Sequence, residues 1–241
     1  MIRFDLPQNQ MIGVDDVVLR LDPSPLPFEE NYRAEVEANW KKEKAAQPAL
    51  FNGRILMFAD LQLQDRVLEG RCHLTDYATF MYWRSIRPHS DVAHCFAHPA
   101  LVSSDGALVA ARMSQHTANP GKVYFAAGSF EQDDLRDGRI DHVANMEREV
   151  MEETGLDLTR FRHEPNYRVL AMVTGTVIFR RYQLDMTADE AARGIEAHVA
   201  QDPNPEIEGP VILRDASAEP DGLLPHMQAF RDWHFANPMR L

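Results

Sequence analysis

The sequence predicts an α/β fold of the α+β type, with a mixed β-sheet covered by helices on both faces and a smaller α+β domain before it. In the second half of the chain, short apolar segments interleave with two or three amphipathic helices, a pattern typical of such a sheet. Hydrophobic residues make up 44% of the 241 positions, which is enough to bury a substantial core. We expect a domain boundary between 1–95 and 96–241.

In the first domain the pattern predicts four strands and two helices. The strands are expected in the short apolar or alternating segments 2–6, 17–21, 54–58 and 67–74, the last two as a hairpin. Good helix formers fill 29–44, where Tyr32, Val36 and Trp40 recur every four residues and predict a stripe that faces a core. Thr75 is expected to cap a second, short helix.

In the second domain, turn sequences rich in Gly, Pro, Asn and Asp separate the expected elements. Strands are expected at 101–102, 107–111, 123–125, 168–173, 177–184 and 211–213. Helices are expected at 141–154, 187–200 and 222–235. We find no internal repeat and no low-complexity segment.

Charge argues against nucleic acid as a partner. The formal net charge is -12, and the cationic pairs 41–42 and 180–181 are too short to form a basic patch, so we expect them on the solvated surface. The chain begins without a signal-peptide pattern and has no apolar run of about 20 residues, which a membrane span needs. We therefore expect a cytoplasmic protein without membrane partners, and the oligomeric state stays open.

The number and spacing of the cysteines and histidines predict neither a zinc site nor a disulfide framework. Cys72 and Cys95 are too few for a disulfide-stabilised secreted fold, so we expect a reducing compartment. None of the ten histidines has zinc-site spacing, and we expect structural or surface roles for His89, His94 and His98. The GxSxG, Walker A and Rossmann glycine motifs are also missing from the sequence.

The most informative segment is the helix expected after Asp141, a good N-cap, and before Gly155, a typical C-terminal residue. At about 100° per residue, Glu149, Glu152 and Glu153 fall within an arc of roughly 100°. Carboxylates this close repel one another, so the cluster needs solvent or a cation. A solvated acidic face is one interpretation; a site for Mg²⁺ or Mn²⁺, which prefer hard oxygen ligands, is the other.

The string Arg148-Glu149-Val150-x-Glu152-Glu153-x-Gly155-Leu156 resembles the second half of the Nudix box, REUxEExGU, where U is a bulky aliphatic residue. Upstream, Gly128 and Glu131 resemble the opening turn of that box. The glycine precedes the box arginine by 20 positions against 14 in the family, so six residues are inserted in an acidic loop. The family's glutamate eight residues before the arginine falls on Ile140, where Asp137 or Asp141 could substitute.

The resemblance implies a Nudix α/β/α sandwich over 96–241 that hydrolyses a diphosphate linked to another group, with Mg²⁺ or Mn²⁺ as cofactor. The implied metal ligands are Glu131, Glu149, Glu152 and Glu153. Arg148 is expected to orient Glu131 or a ligand glutamate. The implied partner is a small nucleoside diphosphate derivative.

Further candidates lie outside the box helix. The general base is expected to be one of two kinds of residue. It is either a ligand carboxylate such as Glu152 or Glu153, or an acidic residue of the loop before the last strand, Glu206 or Glu208. Several Nudix relatives carry a catalytic glutamate in a comparable loop. Ordinary loop acids are an equally good interpretation of that pair. Phosphate contacts are expected from residues near the strand ends or the opening turn: Arg112, Lys122 and Gly128.

The N-terminal half narrows the resemblance. Trp40 and the segments 47–53 and 74–80 resemble a eukaryotic Nudix subgroup that hydrolyses UDP-glucose and UDP-galactose. Where that subgroup continues with Gly-Thr-Asn, this chain has residues 81–83 as Met-Tyr-Trp. The implied reaction converts a UDP-hexose to a nucleoside monophosphate and a sugar 1-phosphate. The alternatives are another substrate such as ADP-ribose, or a nucleotide-sugar sensor without turnover.

Overall fold

A computed structural model describes residues 4–87 and 91–239. The strands in this part are β1 (Phe4–Asp5), β2 (Met11–Val14), β3 (Asp16–Leu21), β4 (Arg54–Gln64), β5 (Val67–Asp76), β6 (Cys95–Val102), β7 (Leu108–Met113), β8 (Val123–Tyr124), β9 (Leu135–Arg136), β10 (Arg139–Ile140), β11 (Arg162–His163), β12 (Tyr167–Met172), β13 (Gly175–Gln183) and β14 (Ile207–Leu213). The helices are α1 (Pro27–Asn31), α2 (Arg33–Ala46), α3 (Tyr77–Ile86), α4 (His142–Thr154), α5 (Ala188–Val199) and α6 (Pro225–Ala236). The predicted α+β class is confirmed, because helices combine with two sheets.

The chain forms two compact units, and each is assembled from three separate stretches. The first unit contains Met1–Phe96, Ser129–His142 and Val169–Ile178. The second contains Ala97–Gly128, Val143–Arg168 and Phe179–Leu241. The first change of unit lies one residue from the predicted boundary, whereas no pattern in the sequence predicted the later returns of the chain to the first unit. The division into domains 1–95 and 96–241 stays a prediction.

A six-stranded sheet in the order β1-β4-β5-β3-β10-β9 dominates the first unit. The predicted hairpin is confirmed as the antiparallel pair β4 and β5, and it is longer than expected. Its turn residues Asp65 and Arg66 have φ values of 47° and 63°, as in the two-residue turns that match strand twist. The first unit also contains β2, residues 169–172 of β12 and residues 175–178 of β13. These strands pair in the order β13-β12-β2.

The inserted acidic segment forms regular structure instead of the expected bulging loop. After a 3-10 turn at 132–134, β9 and β10 pair antiparallel, with Arg139 opposite Arg136. Their turn, Asp137-Gly138, has positive φ at both residues, 49° and 73°. Arg139 also pairs with Arg20 of β3, so the insertion adds a small hairpin to the sheet.

The helix expected at 29–44 is divided into α1 and α2. The break is at Tyr32, whose φ of -119° and ψ of 24° are not helical. Val36 is buried, and Tyr32 and Trp40 are partly buried against a core cluster, so the stripe faces a core as predicted. That cluster consists of Leu26, Phe28, Leu50, Ile55, Met57, Phe80, Met81, Trp83 and Val92.

The expected cap at Thr75 is wrong. The strand β5 continues through Asp76, which pairs with Arg54 and takes the N-cap position of α3. Thr75 therefore lies inside the strand, fully buried, and its hydroxyl donates to Glu29 Oε2 at 2.6 Å. The short helix itself is confirmed.

The second unit contains the strand order β14-β7-β6-β13, with β8 along β7 and β11 along β13. α5 packs on β14 and β7. α6 contributes Phe230, which stacks on Phe179 with ring centroids 4.3 Å apart and meets Phe125 edge-on at 5.6 Å. These aromatic contacts hold the C-terminal helix on the sheet.

Arg181 corrects the expectation that the pair 180–181 is solvated. Its side chain is 4% exposed and lies 2.6 Å from Glu164 Oε1. The same guanidinium donates to His234 Nδ1 at 3.1 Å and to the Asn237 carbonyl at 2.6 Å. The ion pair and the three acceptors offset the cost of burying the guanidinium. These partners are distant in sequence, so the local sequence of the cationic pair does not predict the burial.

The histidines and cysteines within the described ranges are largely internal. His94 packs between Phe80 and Phe96, and His98 lies against His226 with ring centroids 5.1 Å apart. His89 lies outside the described residues. Both cysteines are buried free thiols. Of the helices that the structure describes, none combines the length and the apolar character needed to cross a bilayer.

Thr187→Ala tests the start of α5. The Thr187 hydroxyl accepts from the Glu190 amide, and the Glu190 carboxylate accepts from the Thr187 amide at 2.9 Å, forming a capping box. Removing the hydroxyl should lower the free energy of unfolding by about 1 kcal/mol in urea titrations. Thr187→Ser keeps the oxygen and is the matched control; equal stability of all three proteins would contradict the cap.

Acid should destabilise the second unit through its buried histidines. Burial lowers the pKa of His226 from 6.5 to about 4. Burial also lowers the pKa of His98 well below its usual value, and the neighbouring His226 lowers it further. As pH falls from about 6.5 to 4, the unfolded chain takes up protons that the folded chain does not, so stability is lost in that window.

His226→Gln isolates this effect. Relative to the parent, its unfolding free energy should depend on pH less steeply, by about 1.4 kcal/mol per pH unit for one proton, when urea titrations are compared at pH 6 and pH 5. Parallel pH profiles for the two proteins would refute the assignment.

Candidate active site

The helix α4 is present as predicted, from His142 to Thr154. Gly155 follows with a φ of 73°, the left-handed conformation that ends many helices. Met146 and Val150 are fully buried, so the apolar stripe packs inward. This packing fixes the rotation of the helix and therefore the direction of the glutamates beside the stripe.

Three of the four glutamates of α4 share one pocket of about 150 Å³ with the end of α5 and the loop that follows it. Its lining consists of Glu149, Glu152, Glu153, His198, Val199, Asp202, Asn204, Pro205 and Glu206. All of these residues belong to the second unit. The structure thus brings together the predicted carboxylates of α4 and one of the two predicted loop acids, while their roles stay predictions.

Glu153, like Glu149, is a buried carboxylate of the pocket. Burial, followed by the nearby charges of Glu149 and Glu206, raises its pKa well above the usual value, and a hydrogen bond from the Ala127 amide acts in the opposite direction. Among the described residues, Oε2 of Glu153 has no hydrogen-bond partner. An ionised carboxylate in this position is costly unless a proton or a cation compensates it.

Glu149 lies against Gly128, the glycine of the expected opening turn. A Cβ at position 128 would be 2.3 Å from Oε1 and 2.7 Å from Oε2 of Glu149. An alanine at this position would therefore force the Glu149 carboxylate to move. Arg148 Nη1 contacts Glu149 Oε1 at 2.7 Å and Glu152 Oε2 at 3.3 Å, while its expected role in orienting metal ligands stays a prediction.

Glu206 is held in the pocket by its backbone. The Ser114 amide donates to the Glu206 carbonyl at 2.9 Å, and the Ser114 hydroxyl donates to the Pro205 carbonyl at 2.7 Å. Glu208 is not part of the lining and accepts from Gln115 Nε2 at 2.8 Å. Of the two loop acids, Glu206 is therefore the better candidate for a base.

The remaining predicted site residues lie elsewhere. Arg112 Nη1 donates to the Gly121 carbonyl at 3.0 Å and to the Asp221 carbonyl at 2.8 Å, so it supports loops, and Lys122 is exposed outside the pocket lining. Glu131 belongs to the first unit, where its side chain accepts from the Asp134 amide in a capping box. Ile140 and the alternatives Asp137 and Asp141 also belong to that unit.

Sequence reasoning missed His198, Asp202 and Asn204. The first is in the last turn of α5, and the other two are in the loop after it. The available signal was the order of elements, because a predicted helix at 187–200 leads directly into the loop that carries Glu206. Nothing in the local sequence indicated that this loop would face α4.

The donor set fits a hard divalent cation, although the ligands are not arranged around a point. In the described ranges, no three His, Cys, Asp or Glu side chains already surround one metal position. Glu152 is 60% exposed and pairs with Arg148. The fit rests on the free Oε2 of Glu153 and the closely packed Glu149, whose carboxylate oxygens suit Mg²⁺ or Mn²⁺.

Comparison with known proteins gives no family. No family model and no curated protein matches the chain. Among solved structures, the crystal structure of DR0079 from Deinococcus radiodurans is 16% identical with a TM-score of 0.33, over 53% of this chain and 73% of that one. This degree of likeness shows neither a shared fold nor a shared function.

Gly128→Ala tests the close packing of Glu149. The added methyl group would overlap the carboxylate and should lower the free energy of unfolding by about 1 to 3 kcal/mol, because the site must be repacked. Gly194→Ala in α5 is the matched control: nothing lies within 4 Å of its added Cβ, and it should stabilise the helix by about 0.5 to 1 kcal/mol. Urea titration would measure both; a Gly128→Ala protein as stable as the parent would contradict the prediction, because the Glu149 carboxylate would then have moved away at no cost.

Proposed function

We propose that this chain is a Mg²⁺-dependent hydrolase of nucleoside diphosphate derivatives, with a UDP-hexose as the preferred substrate. The observation that supports the proposal is the shared pocket of Glu149, Glu152, Glu153 and Glu206, in which a segment resembling the Nudix box meets a loop acid. The products would be a nucleoside monophosphate and a sugar 1-phosphate.

Glu149, Glu152 and Glu153 of α4 would hold the cation. Glu153 offers a buried oxygen without a hydrogen-bond partner, and Glu149 is fixed between Gly128 and Arg148. When bound, Mg²⁺ supplies charge neutralisation for the diphosphate and helps to activate water. Arg148 contacts both Glu149 and Glu152 and would hold these two carboxylates near each other.

Glu206 would act as the general base. Its carboxylate lines the pocket, and the two bonds from Ser114 fix the backbone on which it is carried. The water oxygen forms a bond to phosphorus, the bridging P–O bond breaks, and the water proton passes to the Glu206 carboxylate. The fixed backbone favours this proton transfer, because the Glu206 side chain is already held near the pocket and need not be ordered during the reaction.

The hexose preference rests on the segments 47–53 and 74–80 and is separable from the reaction type. Purified protein should be incubated with Mg²⁺ and UDP-glucose, UDP-galactose or ADP-ribose, and phosphate measured after added phosphatase. We expect turnover to be fastest with the UDP-hexoses and to stop when EDTA removes the cation. Binding without turnover across the panel would indicate a sensor and reject the proposal.

Substitution of the pocket acids tests their roles. Glu152→Gln, Glu153→Gln and Glu206→Gln should each lower kcat about 100-fold or more, because each removes a ligand or the base. Glu147→Gln, on the same helix but outside the pocket lining, is the control and should keep the parental rate. Parental kcat in the Glu152 and Glu153 variants would disprove the metal assignment.

A further inference from the structure

His198 is the histidine that lines the pocket, and it comes from α5 rather than from the motif helix. Its Nε2 lies 2.9 Å from the carbonyl oxygen of Glu152. A carbonyl oxygen only accepts, so Nε2 carries the hydrogen, and in the neutral ring the lone pair is on Nδ1. This bond connects α5 to the peptide group that joins Glu152 to Glu153.

The carbonyl of Glu152 is one of the last four in α4, which lack donors within the helix. Its ordinary helical donor would be the amide of Leu156, but that amide donates to Thr154 Oγ1 at 3.3 Å. His198 therefore supplies a hydrogen bond where the helix provides none. The peptide between two of the proposed ligands is held from outside the helix.

Gly155 restrains the imidazole from a second side. A Cβ at position 155 would be 2.7 Å from Nδ1 and 2.9 Å from Cγ of His198. The ring therefore packs directly on the glycine backbone, while its Nε2 is fixed by the carbonyl of Glu152. The nearby glycine backbone and the bond at Nε2 together limit how far the ring can turn.

The chain that leaves His198 leads directly to Glu206. The Gln201 amide donates to the His198 carbonyl at 3.0 Å, and the Asp202 amide donates to the Val199 carbonyl at 3.2 Å. These bonds tie the loop to the end of α5. The position of His198 is therefore coupled both to the glutamates of α4 and to the start of the loop that carries the proposed base.

We infer that His198 is a positioning residue that sets the spacing between the carboxylates of α4 and Glu206. The inference rests on the proposed function. Outer partners that hold metal ligands in place change metal affinity or activity by about 10- to 100-fold when they are lost. Removal of the Nε2 donor should therefore weaken cation binding even though His198 is not itself a ligand.

Mn²⁺ binding by the full-length chain, followed by electron paramagnetic resonance, is the test. His198→Leu should raise the Mn²⁺ dissociation constant about tenfold. His198→Gln places an amide donor near the position of Nε2 and should restore most of the affinity. Gln201→Ala removes a side-chain bond to the Ala197 carbonyl at the same end of α5 and should bind Mn²⁺ like the parent.

Kinetics and thermal melting distinguish positioning from a purely structural role. At limiting Mg²⁺, His198→Leu should hydrolyse the substrate about tenfold more slowly, and excess Mg²⁺ should restore the rate, because the defect is in cation affinity. The inference is overturned if His198→Leu binds Mn²⁺ as tightly as the parent. It is also overturned if His198→Leu and His198→Gln lose the same Mn²⁺ affinity and their Tm values fall in parallel with that loss. A parent protein that binds no Mn²⁺ would instead reject the proposed function itself.

Discussion

Repulsion between carboxylates around one small pocket is the constraint on which the rest of the site depends. Glu153 is buried beside Glu149 and Glu206, and its pKa is raised as a result. The surrounding structure counters this repulsion through the Ala127 amide and the guanidinium of Arg148. Apolar side chains of similar volume would often make the protein at least as stable as this buried charged cluster does. The presence of the cluster therefore favours a ligand that balances its charge.

The motif helix could be predicted because its signals are local. Its N-cap, its glycine end and the spacing of Met146 and Val150 lie within one short stretch of chain, and the structure agrees with each boundary. The same holds for the hairpin of β4 and β5 and for the start of α5 at Thr187. Helices and turns that are stabilised mainly by residues close in sequence can be predicted without a structure.

The other wall of the pocket could not be predicted, because it depends on contacts between distant parts of the chain. His198 meets the Glu152 carbonyl across 46 positions, and Ser114 holds the loop of Glu206 from 91 positions away. The errors have the same origin. Thr75 lies in a strand because Arg54 pairs with Asp76, and Arg181 is buried because Glu164 and the end of the chain supply its partners.

The hairpin of β9 and β10 limits how the inserted segment can vary in length. Successive residues of a strand point to opposite faces, so deleting one residue would exchange the inner and outer side chains of β10. Ile140, which is 5% exposed, would then turn toward solvent and Arg139 toward the interior. Length changes should be tolerated in pairs of residues, which preserve the pleat, whereas an unstructured loop would accept any number.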